Sequence, residues 1–597
     1  MSCSIPGMED AGCLFFFGYN PSASHPIVAR RVVKAKEKGA KIIVVDPRLI
    51  ETARIADIYL PIKNGSNLAF LNSFAYILVT EGLIDKEFIE EHTNGFDEWW
   101  ETIKEYAPEK TEHIHGIEPE MMRKAARMYA TAEPSSIVCW GMGVTQHKQN
   151  VETVRSLAAI ACVTHQIGKP NSGVAPVRGQ NNVQGSCDMG ALPNFYPGYQ
   201  LVTDPDIRAK FAKAWDVEEE QLSLKVGYKV STIGKLAEEG VIHAFYNMGE
   251  DPLQTEPDAQ NLEKQLRSLD LFICQDIFMT QTAAIADVVL PATGWGEHEG
   301  TFTASDRSIQ YFSAALPPKG ECRDDWDIIC DIATRMGYPM HYKDTEEIWD
   351  KELRALWPNA AGASYERMKA NDGLGYVQWP VPTDDHPGSP DLFPGGKFSK
   401  PDGRAVLKAH DYEEPTEQPD DEYPLILCTV REVGHYSART MTGNSKALSN
   451  LADEPGYLSI NPEDAMERGI RQEDLVWAYS RRGRVLTRAD VDERCNKGTV
   501  YMTYQWWIGK CNDLTLHAVD ATSATPEDKF SACQVEAIAD QVWAEQYLQE
   551  LYNDLKDRLR AEAQPQYIEP ASEAAKLGES GEPGEPEPEP VLQAATE

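Results

Sequence analysis

The chain has 597 residues, of which 42% are hydrophobic and 9% aromatic, so it is long enough to bury the cores of several domains. Its formal charge of −37 argues against nucleic acid as a partner, because a nucleic-acid-binding face is basic. No apolar run is long enough to cross a bilayer, and the first ten residues lack the basic segment of a signal peptide, so direct membrane insertion is not expected.

The first predicted unit alternates strand, turn, helix and strand. The apolar run from Cys13 to Phe17 is typical of a buried strand, and a glycine turn follows it at Gly18. A helical pattern extends from about Pro26 to Lys38, and the next strand, Lys41 to Val45, ends at Asp46. This is the βαβ pattern of a nucleotide-binding sheet, although a βαβ unit without a ligand has the same pattern.

The segment from Pro176 to Gly185 is polar, rich in side-chain amides and interrupted by glycines. Gly179 and Gly185 permit a close approach of the backbone to a ligand, and the amides supply donors and acceptors for the edge of a heterocycle. Arg178 supplies a permanent fork of donors that suits a carboxylate. A solvent-exposed loop with an incidental arginine is the alternative interpretation.

A second unit of the same kind begins with the strand Ala244 to Tyr246 and the turn Asn247 to Pro252. A helix follows, and the strand Leu271 to Gln275 then ends at Asp276. Two similar units in one chain suggest two nucleotide-like sites, or one ligand with two nucleotide ends.

From about Tyr423 the sequence favours a β-barrel, because short β-rich runs alternate with Gly and Asp turns. The predicted barrel strands are Pro424 to Val430, Leu475 to Ser480, Val485 to Ala489 and Thr499 to Thr503. A charged helix is predicted from about Gln541 to Ala563, and the Glu- and Pro-rich tail after Glu569 is predicted to be disordered.

The 12 cysteines are scattered and form no C-x-x-C pair, which argues against a zinc site or an iron–sulfur cluster motif. Several lie in apolar runs, so we expect buried free thiols in a reducing compartment and a cytoplasmic location.

The segment around Arg178 resembles the signature of formate dehydrogenases within the molybdopterin oxidoreductase (dimethyl sulfoxide reductase) family. The resemblance extends from about Leu14 to about Leu559 and is close to the selenocysteine-containing formate dehydrogenase of formate–hydrogen lyase systems. The other matching segments are Phe17 to Pro21, Asp46 to Arg48, Lys63 to Asn67, Trp140 to Gln146, Met248 to Pro252, Gln275 to Thr280, Trp295 to Gly300, Arg431 to Ser437 and Tyr504 to Trp507.

The resemblance implies a multi-domain α/β fold with two Rossmann-like cofactor-binding domains and a C-terminal β-barrel. The implied divisions are a first dinucleotide-binding domain at 1–180, a second, incomplete one at 181–345, a connecting segment at 346–420, a molybdopterin dinucleotide-binding barrel at 421–565 and an acidic tail at 566–597. The implied cofactor is a Mo- or W-bis(molybdopterin guanine dinucleotide), one dinucleotide on each βαβ unit. The residues assigned to it are Gly18, Asn20, Asp46, Arg48, Gly141, Gly143, Gln146, Gln180, Asn182, Gly249, Asp251, Gln275, Asp276, Arg431, Glu432, His435, Tyr504 and Gln505.

The implied reaction is the two-electron oxidation of formate to CO2, or its reverse. Arg178 would be the catalytic residue that holds the formate carboxylate, with Gln180 beside it against a pterin. His147 is a possible proton acceptor, but a packing role is the favoured interpretation; His435 could bind a pterin or be a satisfied core histidine. The implied partners are formate or CO2 and an iron–sulfur electron-transfer subunit, ferredoxin or hydrogenase.

The family pattern also contains a four-cysteine [4Fe–4S] domain and a Sec-His or Cys-His pair that ligates the metal. Neither precedes Gly18, so we expect an N-terminally truncated chain that ligates no cluster or metal itself and is inactive alone. A selenocysteine triplet read as a stop, or a split enzyme with a separate small subunit, would explain this. The alternatives are a nitrate reductase of the same family and a non-catalytic, cofactor-free subunit.

Overall fold

The computed structural model describes residues 1–370, 375–449 and 454–562. Its first sheet is parallel and contains β1 (Cys13–Phe17), β2 (Lys41–Val45), β3 (Ile58–Leu60), β4 (Ser136–Trp140) and β5 (Gly173–Pro176) in the order β3-β2-β1-β4-β5. The strand order reverses on the two sides of β1, which makes this a doubly wound sheet with a crevice at the carboxyl ends of β1 and β4.

Both faces of the first sheet are covered, as a parallel sheet requires. Phe15 and Phe17 of the central strand enter one apolar cluster, and Leu14 and Phe16 enter another on the opposite face. All five residues of β1 are buried, which explains why its sequence is continuously apolar rather than alternating. The helices around this sheet are Pro26–Glu37, Asn67–Thr80, Lys86–His92, Phe96–Ile103, Pro108–His115, Pro119–Ala130 and Asn150–Val163.

The second sheet is also parallel and contains β6 (Ala244–Met248), β7 (Leu271–Asp276) and β8 (Val288–Pro291), with β7 in the middle. One of its faces packs on a cluster that contains Phe272, while the opposite face leaves Tyr246 exposed. The main helices of this part of the chain are Pro205–Trp215, Val230–Glu238, Ala259–Leu266 and Asp325–Arg335.

The predicted barrel is confirmed as a closed, six-stranded one. Its strands are β9 (Leu425–Val430), β10 (Tyr457–Ile460), β11 (Leu475–Tyr479), β12 (Arg484–Val491), β13 (Thr499–Thr503) and β14 (Ser531–Ala537). The four strands expected from the sequence are β9, β11, β12 and β13, whereas β10 and β14 were not anticipated. The helix Gln541–Glu562 follows the barrel, and the predicted disordered tail lies outside the described residues.

Smaller elements join the first unit to the segment before the barrel. The strands Gly300–Thr303 and Ser308–Phe312 form an antiparallel pair, and Ala405–Val406 pairs with Thr93–Asn94. The buried Arg307 donates hydrogen bonds to the carbonyls of Met1, Ser389 and Pro390 at 2.8–2.9 Å. The sheets and the barrel thus follow the predicted order along the chain, and the predicted domain boundaries stay predictions.

The 12 cysteines are free thiols, and all of them except the partly exposed Cys322 are buried, as the sequence predicted. Among the helices that the structure describes, none combines the length and apolar character needed to cross a membrane.

Candidate functional site

The two βαβ units have the same turn at the end of their first strand. Gly18 and Gly249 both have a positive φ, of +55° and +64°. Each donates its N–H at 2.9 Å to a carbonyl on the neighbouring strand, that of Val45 in the first unit and that of Gln275 in the second. Each turn then leads into a four-residue helix with proline at its first position, Pro21–Ser24 or Pro252–Thr255.

The acid that ends the second strand is also equivalent in the two units. Asp46 accepts a hydrogen bond from the backbone N–H of Arg48 at 3.0 Å, and Asp276 accepts one from Phe278 at 3.1 Å. Burial raises the pKa of each carboxyl to about 6. The predicted pairing of the two units therefore extends to the geometry and the electrostatics of their acids.

The third strands continue the repeat. Asp57, just before β3, accepts from the backbone N–H of Ile42, and Asp287, just before β8, accepts from that of Phe272, at 2.8 and 2.7 Å. Both acids stand in the sequence Ala-Asp-x-x-Leu-Pro, a repeated motif that marks the two units as equivalent.

A cleft of about 280 Å³ lies between the carboxyl edge of the first sheet and the barrel. Most of the residues predicted to bind a cofactor in the first unit line this cleft, together with two from the barrel. These residues are Gly18, Asn20, Asp46, Arg48, Gly141, Gly143, Gln146, Gln180, Arg431 and Tyr504.

The close approach of two glycines forms one wall of the cleft. Gly143 donates its N–H to the carbonyl of Gly18 at 3.1 Å. A Cβ atom at Gly18 would lie 2.7 Å from the carbonyl carbon of Gly143, and one at Gly143 would lie 2.6 Å from the carbonyl oxygen of Gly18. Only glycine fits at both positions without a shift of the backbone.

The predicted residues of the second unit lie outside this cleft, at the carboxyl edge of the second sheet. Asp251 is buried and accepts hydrogen bonds from the N–H and the hydroxyl of Thr282 at 3.1 and 2.6 Å. Gln275 donates to Asp325 at 2.5 Å. Both side chains therefore have clear structural roles in holding the edge of this sheet.

Several other predicted residues support the cleft from behind. Asn182 accepts from the N–H of Thr303 at 3.0 Å. Gln505 accepts from the N–H of Glu432 at 2.8 Å and donates to the carbonyl of His435 at 2.6 Å, so it holds the loop that carries Arg431.

Sequence reasoning missed two charged residues that line the cleft, Asp528 and Lys529. Asp528 is 4% exposed, accepts from Gln146 at 2.6 Å through Oδ2, and has a pKa raised to about 6 by burial. Lys529 donates to the carbonyl and the hydroxyl of Thr429 at 2.6 and 2.9 Å. The signal that could have identified them is a carboxylate next to an ammonium group shortly before the strand β14.

Four buried polar atoms of cleft residues have no hydrogen-bond partner within the described parts of the chain: Oδ1 of Asn20, Oδ1 of Asp528, the hydroxyl of Tyr501 and Nε of Arg431. Buried polar groups are nearly always paired, so such a group in a cleft needs a ligand to satisfy it. Two acceptors and a guanidinium donor suit a polar heterocycle that carries anionic groups. The cleft therefore fits a nucleotide-like cofactor.

Arg178 lies in the chain between residues that line this cleft, but it does not line the cleft itself. Its neighbours Val177, Gly179 and Gln180 line the cleft, while its own Nη1 donates to the thiol of Cys187 at 3.1 Å. The side chain is half-buried. The structure thus brings Arg178 to the edge of the predicted site with its guanidinium directed to a weak acceptor.

The two histidines with open assignments are both hydrogen-bonded in the interior. His147 contacts the carbonyl of Gly143 at 3.1 Å through Nε2, and burial together with the nearby Lys529 lowers its pKa to about 4. This favours the packing interpretation, because a group with so low a pKa is a weak base near neutral pH. His435 contacts the hydroxyl of Thr442 at 3.0 Å and the ring of Trp506 edge-on.

No group of three or more His, Cys, Asp or Glu side chains in the described ranges could hold a metal ion.

Comparisons with known proteins agree with this geometry. The family model for molybdopterin oxidoreductase matches residues 1–335, and the model for the molydopterin dinucleotide binding domain matches residues 425–532. The chain is 54% identical to formate dehydrogenase H of Escherichia coli (strain K12), over 94% of this chain and 78% of the relative. It is 42% identical to the F420-dependent formate dehydrogenase 1 subunit alpha of Methanococcus maripaludis, over 90% of this chain and 78% of the relative. Among solved structures, acetylene hydratase from Pelobacter acetylenicus has the same fold, with a TM-score of 0.70 at 20% identity, over 89% of this chain and 81% of that one.

Proposed function

Since the chain belongs to the molybdopterin oxidoreductase family, we propose that it forms the main body of a formate dehydrogenase, which oxidises formate to CO2 or catalyses the reverse. The observation that carries this proposal is that the neighbours of Arg178 in the chain line a cleft in which several buried polar atoms have no partner within the described residues. The substrate class is taken from the relatives, because both named relatives are formate dehydrogenases.

The cleft residues would hold one molybdopterin guanine dinucleotide of a Mo- or W-bis(molybdopterin guanine dinucleotide). Oδ1 of Asp528 and the carboxyl of Asp46 suit the N–H donors of guanine or ribose, and Arg431 suits a phosphate or a pterin carbonyl. The equivalent turn at Gly249 and the acid Asp276 would hold the second dinucleotide. When bound, the metal of this cofactor takes up the electron pair that formate releases.

Arg178 would bind the formate carboxylate through two parallel hydrogen bonds. A carboxylate is a much stronger acceptor than the thiol of Cys187 that the guanidinium now contacts, so the side chain would exchange one partner for the other. The guanidinium also supplies local positive charge in a chain of net charge −37, which an anionic substrate requires.

We also propose that electrons leave through an iron–sulfur cluster to an iron–sulfur subunit, ferredoxin or hydrogenase. No cysteine in the sequence is followed by histidine and none forms a C-x-x-C pair, so this chain shows neither the metal-ligating pair nor the cluster cysteines of the family pattern. This supports the expectation that the polypeptide does not turn over formate by itself.

The test uses the holoenzyme that contains this chain, assayed with an artificial electron acceptor and either formate or nitrate. We expect turnover of formate and not of nitrate. Arg178→Met removes the charge-assisted hydrogen bonds, so it should lower kcat/KM for formate by about 100-fold, which corresponds to about 3 kcal/mol. Arg335→Met is the matched control, because the side chain of Arg335 is 78% exposed. Unchanged kinetics in Arg178→Met would refute the assignment.

A further inference from the structure

The imidazole of His25 connects the first cofactor turn to the backbone of Arg178. Its Nε2 lies 2.5 Å from the carbonyl oxygen of Arg178, and its Nδ1 lies 3.0 Å from the hydroxyl of Tyr19. We infer that His25 is a positioning residue that fixes the backbone at Arg178 and thereby aims the guanidinium at the substrate. The inference rests on the proposed function, in which Arg178 binds formate.

The two hydrogen bonds define the protonation of the ring. A carbonyl oxygen only accepts, so Nε2 must carry the proton and Nδ1 must accept from the hydroxyl of Tyr19. Burial lowers the pKa of His25 and keeps the ring neutral, while burial raises that of Tyr19 and keeps its hydroxyl protonated. The carbonyl of Arg178 thus selects the tautomer of His25, and Tyr19 completes the arrangement by donating to Nδ1.

The turn itself does not require a histidine. The equivalent residue in the second unit is Glu256, which also ends a four-residue helix and precedes a proline. The capping hydrogen bonds are the same, from His25 N–H to the carbonyl of Pro21 at 2.8 Å and from Glu256 N–H to that of Pro252 at 3.0 Å. Capping of the helix therefore does not explain the histidine, whereas its hydrogen bond to the carbonyl of Arg178 does, because only the first unit makes this contact.

Few other contacts fix the backbone at this point. The N–H of Arg178 donates to the hydroxyl of Ser305 at 3.0 Å, but the next residue is the exposed Gly179. A Cβ atom at Gly179 would meet no atom within 4 Å, so the side of this residue that would carry a side chain is open. Without the bond from His25, the peptide between Arg178 and Gly179 can rotate, and a displacement of about 1 Å at a substrate-holding group can lower the rate by about 100-fold.

The kinetic test compares variants of the holoenzyme that contains this chain. His25→Phe keeps a ring of similar size but loses both hydrogen bonds, whereas His25→Gln can still donate to the carbonyl. We expect His25→Phe to raise the KM for formate about 10- to 100-fold with a much smaller change in kcat. His25→Gln should recover most of this loss, and His243→Phe, at an exposed histidine, should leave the kinetics unchanged.

A second readout does not depend on activity. In protein labelled with ¹⁵N-histidine, the ring signal that disappears in His25→Phe should have the shifts of a neutral ring protonated at Nε2 at pH 7. The Tyr19→Phe variant removes the hydroxyl that donates to Nδ1, so it should shift the Nδ1 signal while the proton stays on Nε2. A charged ring, or a proton on Nδ1, would overturn the inference.

The outcomes separate the inference from the proposed function. If Arg178→Met raises the KM and His25→Phe does not, the positioning role is refuted and the proposed function remains. The positioning role is also refuted if His25→Phe lowers kcat and the pterin content together without changing the KM. If Arg178→Met leaves both kcat and KM for formate unchanged, both the proposed function and the inference fall.

Discussion

Replacement of Gly18 by alanine should open the wall of the cofactor cleft. Gly18 has φ +55°, and its added Cβ would lie 2.7 Å from the carbonyl carbon of Gly143. The left-handed conformation costs an alanine about 1–2 kcal/mol, and the forced shift of packed backbone costs about 1–3 kcal/mol more. The local stability of the cleft should therefore fall by about 2–5 kcal/mol.

Two further variants separate the two costs. Gly143→Ala places a Cβ 2.6 Å from the carbonyl oxygen of Gly18 but has no positive φ, so only the steric cost of about 1–3 kcal/mol applies. Gly82→Ala has φ +70° with no atom within 4 Å of its Cβ, so only the conformational cost of about 1–2 kcal/mol applies.

Hydrogen exchange is the appropriate assay, because a chain with several domains need not unfold in one step. Amides of β1 and of the turn after β4 should lose protection in Gly18→Ala, to a smaller degree in Gly143→Ala, and not in Gly82→Ala. Equal losses of protection at the cleft in Gly18→Ala and Gly82→Ala would refute the argument that the two glycine turns must touch.

Three other predictions concern charge and burial. Because burial raises the pKa of Asp528 from 3.8 to about 6, the folded state binds its proton more tightly than the unfolded chain, so ionisation destabilises the cofactor-free fold as the pH rises through this range. In urea titrations, Asp528→Asn should therefore stabilise the cofactor-free form by up to about 3 kcal/mol at pH 8 and should have no effect at pH 3.5. The same variant should retain the cofactor less well. A gain in stability that did not depend on pH would contradict this prediction. Arg439→Met should destabilise the barrel by about 3–5 kcal/mol, because it removes the guanidinium that lies 2.5 Å from the buried Glu454 carboxylate. If thermal melts showed a loss of stability no larger than that of Arg335→Met, at an exposed arginine, this prediction would be contradicted. Ellman's reagent should label about one thiol in the native protein and none in Cys322→Ser, because Cys322 is the one cysteine that is not buried. Rapid labelling of several thiols would show that the fold is more open than described.

The strands of both βαβ units could be predicted because their apolar runs end at glycine turns and acids, and these signals are local. The barrel strands β10 and β14 were harder to predict. Tyr457–Ile460 has only four residues and alternates between buried and partly buried positions, and Ser531–Ala537 begins with small residues that favour no element strongly. Their strand conformation depends on pairing with distant strands, which a local pattern does not contain.

The residues of the candidate site also divide into those that local sequence signals identify and those that only long-range packing brings to the site. Asp46 could be proposed from the sequence because it ends a recognisable strand, and Gln146 because the segment Trp140 to Gln146 resembles the family pattern. Asp528 could not, because it reaches the cleft only when the barrel packs against the first sheet and Gln146 contacts it. His25 was missed for the same reason, since its partner is the carbonyl of Arg178, 153 residues further along the chain.

The content of pterin and guanine nucleotide in the holoenzyme that contains this chain tests the central claim most directly. Acid release followed by chromatography should give two guanine nucleotides and two pterins for each Mo or W atom, because each βαβ unit is proposed to hold one dinucleotide. Asp528→Asn should lower this content, while Cys322→Ser should leave it unchanged. A wild-type holoenzyme with neither pterin nor guanine nucleotide would contradict the account and would favour a non-catalytic subunit that keeps only the fold.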